Sequence, residues 1–367
     1  MSKPEKTLFL LDAMALIYRA HFALSKNPRI NSKGQNTGAV MGFTNSLLEI
    51  INKKKPSHLG VAFDTFSPTF RHEEFKEYKA NRQETPEEIL YSVPVIKDLL
   101  KGFQVPCLQL DGYEADDVIG TLAKQAANQG FEVFMMTPDK DFAQLVEEHI
   151  YLYKPAFMGN AVDILGIPEV LQKFDIQEVD QVRDVLGLKG DAVDNIPGIP
   201  GVGDKTASKL LKEYGSVENV VANVDNLKGS LQKKVREFGE QGIFSKYLAT
   251  IKIDVPIEFK EEDLLYTGPD KEILQPIFDE LEFRTIAKRV FGEPASAKKV
   301  TKKTDDAQLG LFGNASAVPE EEKTPPAEKL SLNLVPHDYH LVDSEEKRKS
   351  LVHFLSLQKE FCFDTET

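Results

Sequence analysis

The sequence predicts an α/β fold: a mostly parallel central sheet flanked by helices, followed by a helical subdomain and then a flexible linker. Three observations predict it. Short buried-strand patterns alternate with helix-length segments through the first half of the chain, as expected for a sheet covered on both faces. From about residue 168 to 291 the periodicity is helical. Residues 296–331 are rich in charge, Pro, Ala and Ser and nearly bare of large apolar side chains, so they bury too little surface to offset the entropy of ordering.

Taken in order, the strand patterns are TLFLLD (7–12), HLGVAFD (58–64), VPCLQL (105–110), FEVFMMT (131–137) and HIYLYK (149–154). The early run LFLLDAMALIY carries Asp12 in its middle and has no small-residue cleavage site after it, which fits a strand entering a helix and not a signal peptide. Asp12, Asp64 and Asp139 each fall at or just beyond the carboxyl end of a predicted strand, the edge where open α/β sheets bind ligands. Residues 334–367 have the pattern of a strand, a helix and the start of another strand, too short to close a core.

With 367 residues and 41% apolar side chains, the chain has room for two or three units. Its 45 basic and 58 acidic residues give a net charge of -13, which taken alone argues against a nucleic-acid partner. That argument weakens if the acids gather in a metal site and a tail while the bases line one face. Cys107 and Cys362 are the only cysteines, and nothing resembles a zinc cluster, so a reducing, intracellular setting is expected. No run approaches the ~18 apolar residues of a membrane span, and no membrane partner is expected.

Nine acids are candidates for chemistry: Asp12, Asp64, Glu114, Asp116, Asp117, Asp139, Asp141, Asp191 and Asp194. A lone Asp at a helix start is ordinarily a cap, but carboxylates crowded as in GYEADDVIG and TPDKDF repel one another unless a cation joins them. Oxygen donors without His or Cys suit Mg²⁺ or Mn²⁺. Two such ions ~4 Å apart would stabilise both the attacking and the leaving oxygen of a phosphodiester displacement. The seven histidines are scattered, and no Ser-His-Asp or Cys-His arrangement competes.

In GDAVDNIPGIPGVGDKTASKLL (190–211) a P-loop fails, because Asp204 stands between Gly203 and Lys205 and no strand leads in. A tight turn between two helices fits better, stiffened by Pro197 and Pro200, with Gly198, Gly201 and Gly203 allowing close backbone approach. Such a hairpin offers backbone amides and a helix N-terminus to a DNA phosphate, with Lys205, Lys209 and Lys212 adding charge. An ordinary helix-helix turn remains the alternative. In FRHEEFKEYKANRQETPEE (70–88), Arg71, Lys76, Lys79 and Arg82 alternate with glutamates. This is either a solvated helix face or, with Tyr78 beside Lys79, a place where a base stacks while a cation meets its phosphate. Gln308, Leu309, Leu311 and Phe312 form an apolar knot, QLGLF, in the linker, either packed back on the first domain or resembling the peptide by which bacterial replication proteins dock on a sliding clamp.

The strings LLDAMALIYRA, VAFD, FRHEEFKEYKANR, GYEADDVIG, TPDKDFAQL and KGDAVDNIPGIPGVGDKTASKLL, in this order, strongly resemble the 5′ nuclease domain of the bacterial DNA polymerase I family, relatives of the flap endonucleases. The similarity runs from about 5 to 292. The terminal FDTET resembles the opening motif of the same family's 3′-5′ exonuclease domain, with Asp364 and Glu366 in its metal-ligand positions. The resemblance implies a PIN/5′-nuclease-like core at 5–167 with a helical arch at about 67–103. It further implies a helical DNA-binding subdomain at 168–292 with a helix-hairpin-helix at 190–212, a linker at 293–333 and the start of an exonuclease domain at 334–367.

In activity, the resemblance implies a divalent-metal-dependent 5′-3′ exonuclease and flap endonuclease, a monomer of the bacterial cytoplasm, acting on 5′ flaps, nicks and RNA primers. Asp12, Asp64, Glu114, Asp116 and Asp117 would serve the more tightly held ion, and Asp139, Asp141, Asp191 and Asp194 the second. Lys79 and Arg82 would act with Asp116 and Asp117 in catalysis. Arg19, Arg71, Tyr78, Lys205, Thr206 and Lys209 would contact DNA, and the carbonyls of Gly198, Gly201 and Gly203 would hold K⁺. Ala13 stands where the family usually has Gly, which bears on local backbone approach only. Two other classes remain: a related acidic α/β ribonuclease, which would be shorter and lack the hairpin, and a non-catalytic DNA-binding scaffold, in which several acids would be replaced.

Overall fold

Strand β1 (Thr7–Asp12) is buried along its whole length, as a continuous apolar run at the centre of a two-faced sheet should be. A computed structural model describes residues 6–65, 67–156, 161–292, 342 and 344–356. The chain divides into two compact units, Met1–Gly313 and Asn314–Thr367. In the second unit, α14 (Glu345–Ser356) is the described helix. The predicted linker, the QLGLF knot and FDTET lie outside the described residues.

In the first unit the elements run α1 (Ala13–Leu24), α2 (Gly38–Glu49), β2 (His58–Ala62), α3 (Phe70–Glu74), α4 (Glu87–Phe103), β3 (Cys107–Leu108), α5 (Ala115–Asn128), β4 (Glu132–Met136), β5 (Ile150–Lys154) and β6 (Asp163–Leu165). Next come α6 (Ile167–Phe174), α7 (Gln181–Lys189), α8 (Asp204–Tyr214), α9 (Val217–Ala222), α10 (Gly229–Ala249), α11 (Glu261–Leu264), α12 (Lys271–Leu281) and α13 (Arg284–Phe291). Among the described residues the sheet has six strands in the order β3-β2-β1-β4-β5-β6. All neighbours are parallel except β5 and β6, so the fold is mixed and mostly parallel, as the sequence predicts.

Side chains alternate across β1, so Leu8 and Leu10 enter the core beneath α5 and the later helices, while Phe9 and Leu11 enter the core beneath α1, α2, α4 and α12. The chain winds from β1 through β2 to β3 on one side and returns through β4 on the other. The switch point therefore lies between β1 and β4, and Asp12, Asp64 and Asp139 follow the carboxyl ends of β1, β2 and β4 around it. The helical part is fastened by close backbone approach. A Cβ on Gly187 of α7 would stand 2.9 Å from the carbonyl oxygen of Gly242 on α10, so a larger residue there would push the helices apart.

Two expectations are corrected. Residues 70–88 are not one helix: α3 ends at Glu74 because Phe75 is extended (φ -138°, ψ 96°), and Lys79 takes a left-handed φ of 56°. Nor is all of 67–103 an arch, since α4 buries Ile89, Ile96, Leu99, Leu100 and Phe103 in the core.

Candidate active site

The site is assembled from three kinds of position. Asp12 caps α1, accepting from the Ala15 amide (3.1 Å) through one oxygen and from the buried Thr137 hydroxyl (2.9 Å) through the other. Asp64 reaches across from the end of β2 to the Ala115 amide at the start of α5 (2.9 Å). Asp139 and Asp141 occupy the turn after β4, where Asp139 accepts from the Asp141 amide (2.9 Å). Asp191 and Asp194 lie on the loop after α7, closed by the mutual backbone bonds of Asp191 and Ile196 (2.9 and 2.8 Å).

These acids share one field. Desolvation, then repulsion from Asp64, raises Asp12 from 3.8 to about 7. Desolvation with repulsion from Asp139 and Asp191 raises Asp141 to about 8. Asp116 is raised well above the usual range by desolvation and by Asp12, Asp139 and Glu114, and Asp64 and Asp139 are raised chiefly by desolvation. For Glu114 and Asp191 desolvation pushes upward but loses. The Lys79 ammonium and Arg71 hold Glu114 below the usual range, and Lys140, at 2.8 Å, does the same for Asp191. The repulsions link all nine acids into one constellation with cations interposed, Asp117 joining through Glu114.

Two of the cations, Lys79 and Arg82, come from the segment after α3. Lys79 Nζ is 2.7 Å from Glu114 Oε1 and 3.8 Å from Asp194, and Arg82 donates to Asp194 at 2.6 Å. Among the described residues, no three His, Cys, Asp or Glu side chains stand in an arrangement that could hold a metal ion as they are. The donor chemistry nonetheless fits a hard cation: the residues are carboxylates throughout, and Asp141 Oδ1 is buried without a hydrogen-bond partner.

Several predicted roles are corrected by geometry. Arg71 is 2% exposed and uses all five donors inside the protein, on both Asp117 oxygens (2.8 Å each), on Glu114, and on the carbonyls of Leu248 (2.9 Å) and Thr250 (2.8 Å). It cannot reach DNA. Asp117 is 0% exposed and fully engaged by Arg71 and the Lys252 amide (2.8 Å), so it supports the cage without offering an oxygen to a metal or a reacting group. Tyr78, 3% exposed, donates to Glu114 (3.1 Å) with its ring beneath the Lys79 ammonium, so no base can stack on it in this arrangement. Arg19 turns inward to the carbonyls of Pro155 and Ala156.

At the hairpin, Gly198 stands against α7 so tightly that a Cβ would lie 2.2 Å from the Gly190 nitrogen, and its φ of 60° favours glycine. Gly203 caps α8, which carries exposed Lys205 and Lys209 on one face and half-buried Thr206. Of the carbonyls expected to hold K⁺, Gly198 accepts from Gln241 (2.6 Å) and Gly203 from the Thr206 and Ala207 amides, while the Lys234 ammonium fills the space where a Cβ on Gly201 would stand. Sequence reasoning missed Lys140 as a neutralising partner, although its place between Asp139 and Asp141 marks it. It also missed Thr137, which nothing in the local pattern singles out.

Among the described residues, no helix is long and apolar enough to cross a membrane. A family profile described as 5′-3′ exonuclease, N-terminal resolvase-like domain, matches residues 7–175, and one described as 5′-3′ exonuclease, C-terminal SAM fold, matches 177–272. A DNA polymerase I from Bacillus caldotenax is 38% identical over 92% of this chain and 37% of its own length, so the chain spans somewhat over a third of that relative. A 5′-3′ exonuclease from Aquifex aeolicus is 40% identical over 78% of this chain and 95% of its own. Among solved structures, the bacteriophage T5 5′-exonuclease with bound zinc shares the fold, with a TM-score of 0.57 at 18% identity over 77% of this chain and all of that one.

Proposed function

Since the chain belongs to the 5′-3′ exonuclease family, we propose that its acidic cleft hydrolyses phosphodiesters at 5′ flaps, nicks and RNA primers. The observation that carries this is the meeting of mutually repelling carboxylates with Lys79 and Arg82 at the switch point of the sheet. Mg²⁺ or Mn²⁺, as two ions, is the cofactor we assign. Asp12, Asp64, Glu114 and Asp116 would hold one, and Asp139, Asp141, Asp191 and Asp194 the other, some through water. When bound, the metal supplies an activated water and neutralises charge on the phosphate.

The chain's own residues do the rest. Lys79 and Arg82 present N–H donors and positive charge where non-bridging phosphate oxygens would lie, favouring the more charged transition state. Arg71 and Asp117 fix the first turn of α5, and so the direction of Glu114 and Asp116. Lys205, Lys209 and the amides at the start of α8 hold the duplex by its backbone, which positions without reading sequence. At the hairpin, K⁺ would sit on the carbonyls of Gly198, Gly201 and Gly203, through lone pairs that the hydrogen bonds of Gly198 and Gly203 leave open. The test is cleavage of a 5′-flap duplex beside a blunt duplex and a single strand, with Mg²⁺ and with EDTA. Flap cleavage that needs the metal supports the assignment, and metal-independent or absent cleavage overturns it.

By likeness to its longer relatives, we place the chain as the 5′ nuclease part of a bacterial, cytoplasmic DNA polymerase I that is monomeric and acts in lagging-strand processing and excision repair. Gln308, Leu309, Leu311 and Phe312 would dock on a sliding clamp with about micromolar affinity, because a peptide that orders on binding gives up freedom. Fluorescence anisotropy of the labelled full chain against the cognate clamp should saturate, and the Leu311→Ala, Phe312→Ala variant should lose binding. Equal binding by both would remove the assignment.

A further inference from the structure

Two loops meet beside the acids. One comes after α3 and carries Lys79 and Arg82, and the other comes after α7 and carries Asp191 and Asp194. They are stitched by a reciprocal pair of side-chain amides. Asn81 Nδ2 donates to the Ala192 carbonyl at 2.7 Å, and Asn195 Nδ2 donates back to the Glu77 carbonyl at 2.7 Å. Between them the Lys79 amide donates to the Asp194 carbonyl at 3.0 Å. Both loops bend through left-handed residues at the crossing, Lys79 (φ 56°) and Asn195 (φ 57°), a conformation that Asn tolerates and Lys adopts at a cost. The second loop runs on through Ile196 directly into the glycine hairpin.

We propose that Asn81 and Asn195 are positioning residues that strap the Lys79 loop to the hairpin loop, so that a duplex seated on the hairpin and two cations set over the reacting phosphate become one rigid arrangement. The inference rests on the nuclease assignment above and deepens it. Neither Asn reaches the acids. Each acts by fixing where Lys79 and Arg82 start from, and small misplacements of such groups are costly to rate. A strap of this kind belongs to the chemical step and not to affinity, because the duplex is held elsewhere by α8.

Asn195→Gly keeps the left-handed turn without its side-chain donor, and Asn81→Ala removes the opposite donor. In single-turnover cleavage of a 5′-flap duplex each should lower the rate at saturating enzyme about tenfold or more, while duplex affinity measured in Ca²⁺ and the unfolding midpoint stay near those of the parent. Hydrogen exchange at the Lys79 amide should quicken in both variants, a readout independent of activity. In a Lys79→Ala, Arg82→Ala background the two Asn substitutions should have no further effect on rate, since they act through those cations. A parent rate in either variant with exchange quickened overturns the positioning role, as does an undiminished effect in the cation-free background. Unchanged exchange overturns the strap itself. A parent chain that fails to cleave with Mg²⁺ overturns the nuclease assignment, which is a separate result.

Discussion

Asp116 and Asp117 are adjacent in sequence and opposite in circumstance: one is crowded by other acids, the other locked into Arg71. The crowding of the acids was legible in the sequence, because residue types and spacing alone imply a missing cation. Which of two neighbours faces the cleft was not. That depends on Arg71, whose remaining acceptors, Leu248 and Thr250, lie more than a hundred residues away. Asp116→Asn should therefore cost more than about a hundredfold in cleavage rate with little loss of flap binding, measured by single-turnover kinetics beside a binding isotherm. Arg71→Met should instead act on stability. It leaves the Asp117 carboxylate buried without its partner, a loss of about 3–5 kcal/mol in urea unfolding. An unfolding midpoint equal to the parent's would show that Asp117 does not depend on Arg71.

At the scale of elements, β1, β2, β4 and β5 stand where alternating strand patterns put them, because continuous apolar runs can only be buried on both faces. The segment at 70–88 departs from its helix-like charge spacing, because bonds from distant residues replace the intrahelical ones. Asn195 takes the Glu77 carbonyl, and Asp194 takes the Lys79 amide. Pair energies of a few tenths of a kcal/mol per i,i+4 contact are too small to resist that. Helix α8 behaves as its pattern suggests, with Lys205 and Lys209 exposed one turn apart. The double change Lys205→Ala, Lys209→Ala should weaken duplex binding and reduce the slope of log affinity against log salt by about 2, with cleavage at saturation nearly kept. A slope equal to the parent's would remove α8 from the duplex contact.

For the first unit as a whole, protons and metal should compete. Asp12 at about 7 and Asp141 at about 8 both lie above the unfolded value of 3.8, so between these limits the folded, metal-free chain binds more protons than the unfolded chain. Stability from these two groups is therefore present at low pH and lost as pH rises through 7 and 8. Glu114 and Asp191 have the opposite sign, but their contributions are lost only as pH falls below the usual carboxylate range. Without metal, the melting temperature should fall from about pH 6 to about pH 8.5, and Mg²⁺ should raise it more at the higher pH, with protons released on binding. Scanning fluorimetry at both pH values checks this, and a larger Mg²⁺ shift at the lower pH would contradict it. The arrangement that Arg71 completes also has a consequence for synthesis. Its guanidinium awaits carbonyls at Leu248 and Thr250, and the cleft awaits Asp191 and Asp194, so a growing chain holds its first seven acids long before it can use them. Until Thr250 has left the ribosome the nascent protein should be harmless to the nucleic acid around it, and ribosome-bound chains stalled before and after that residue, assayed for flap cleavage, would show where competence begins.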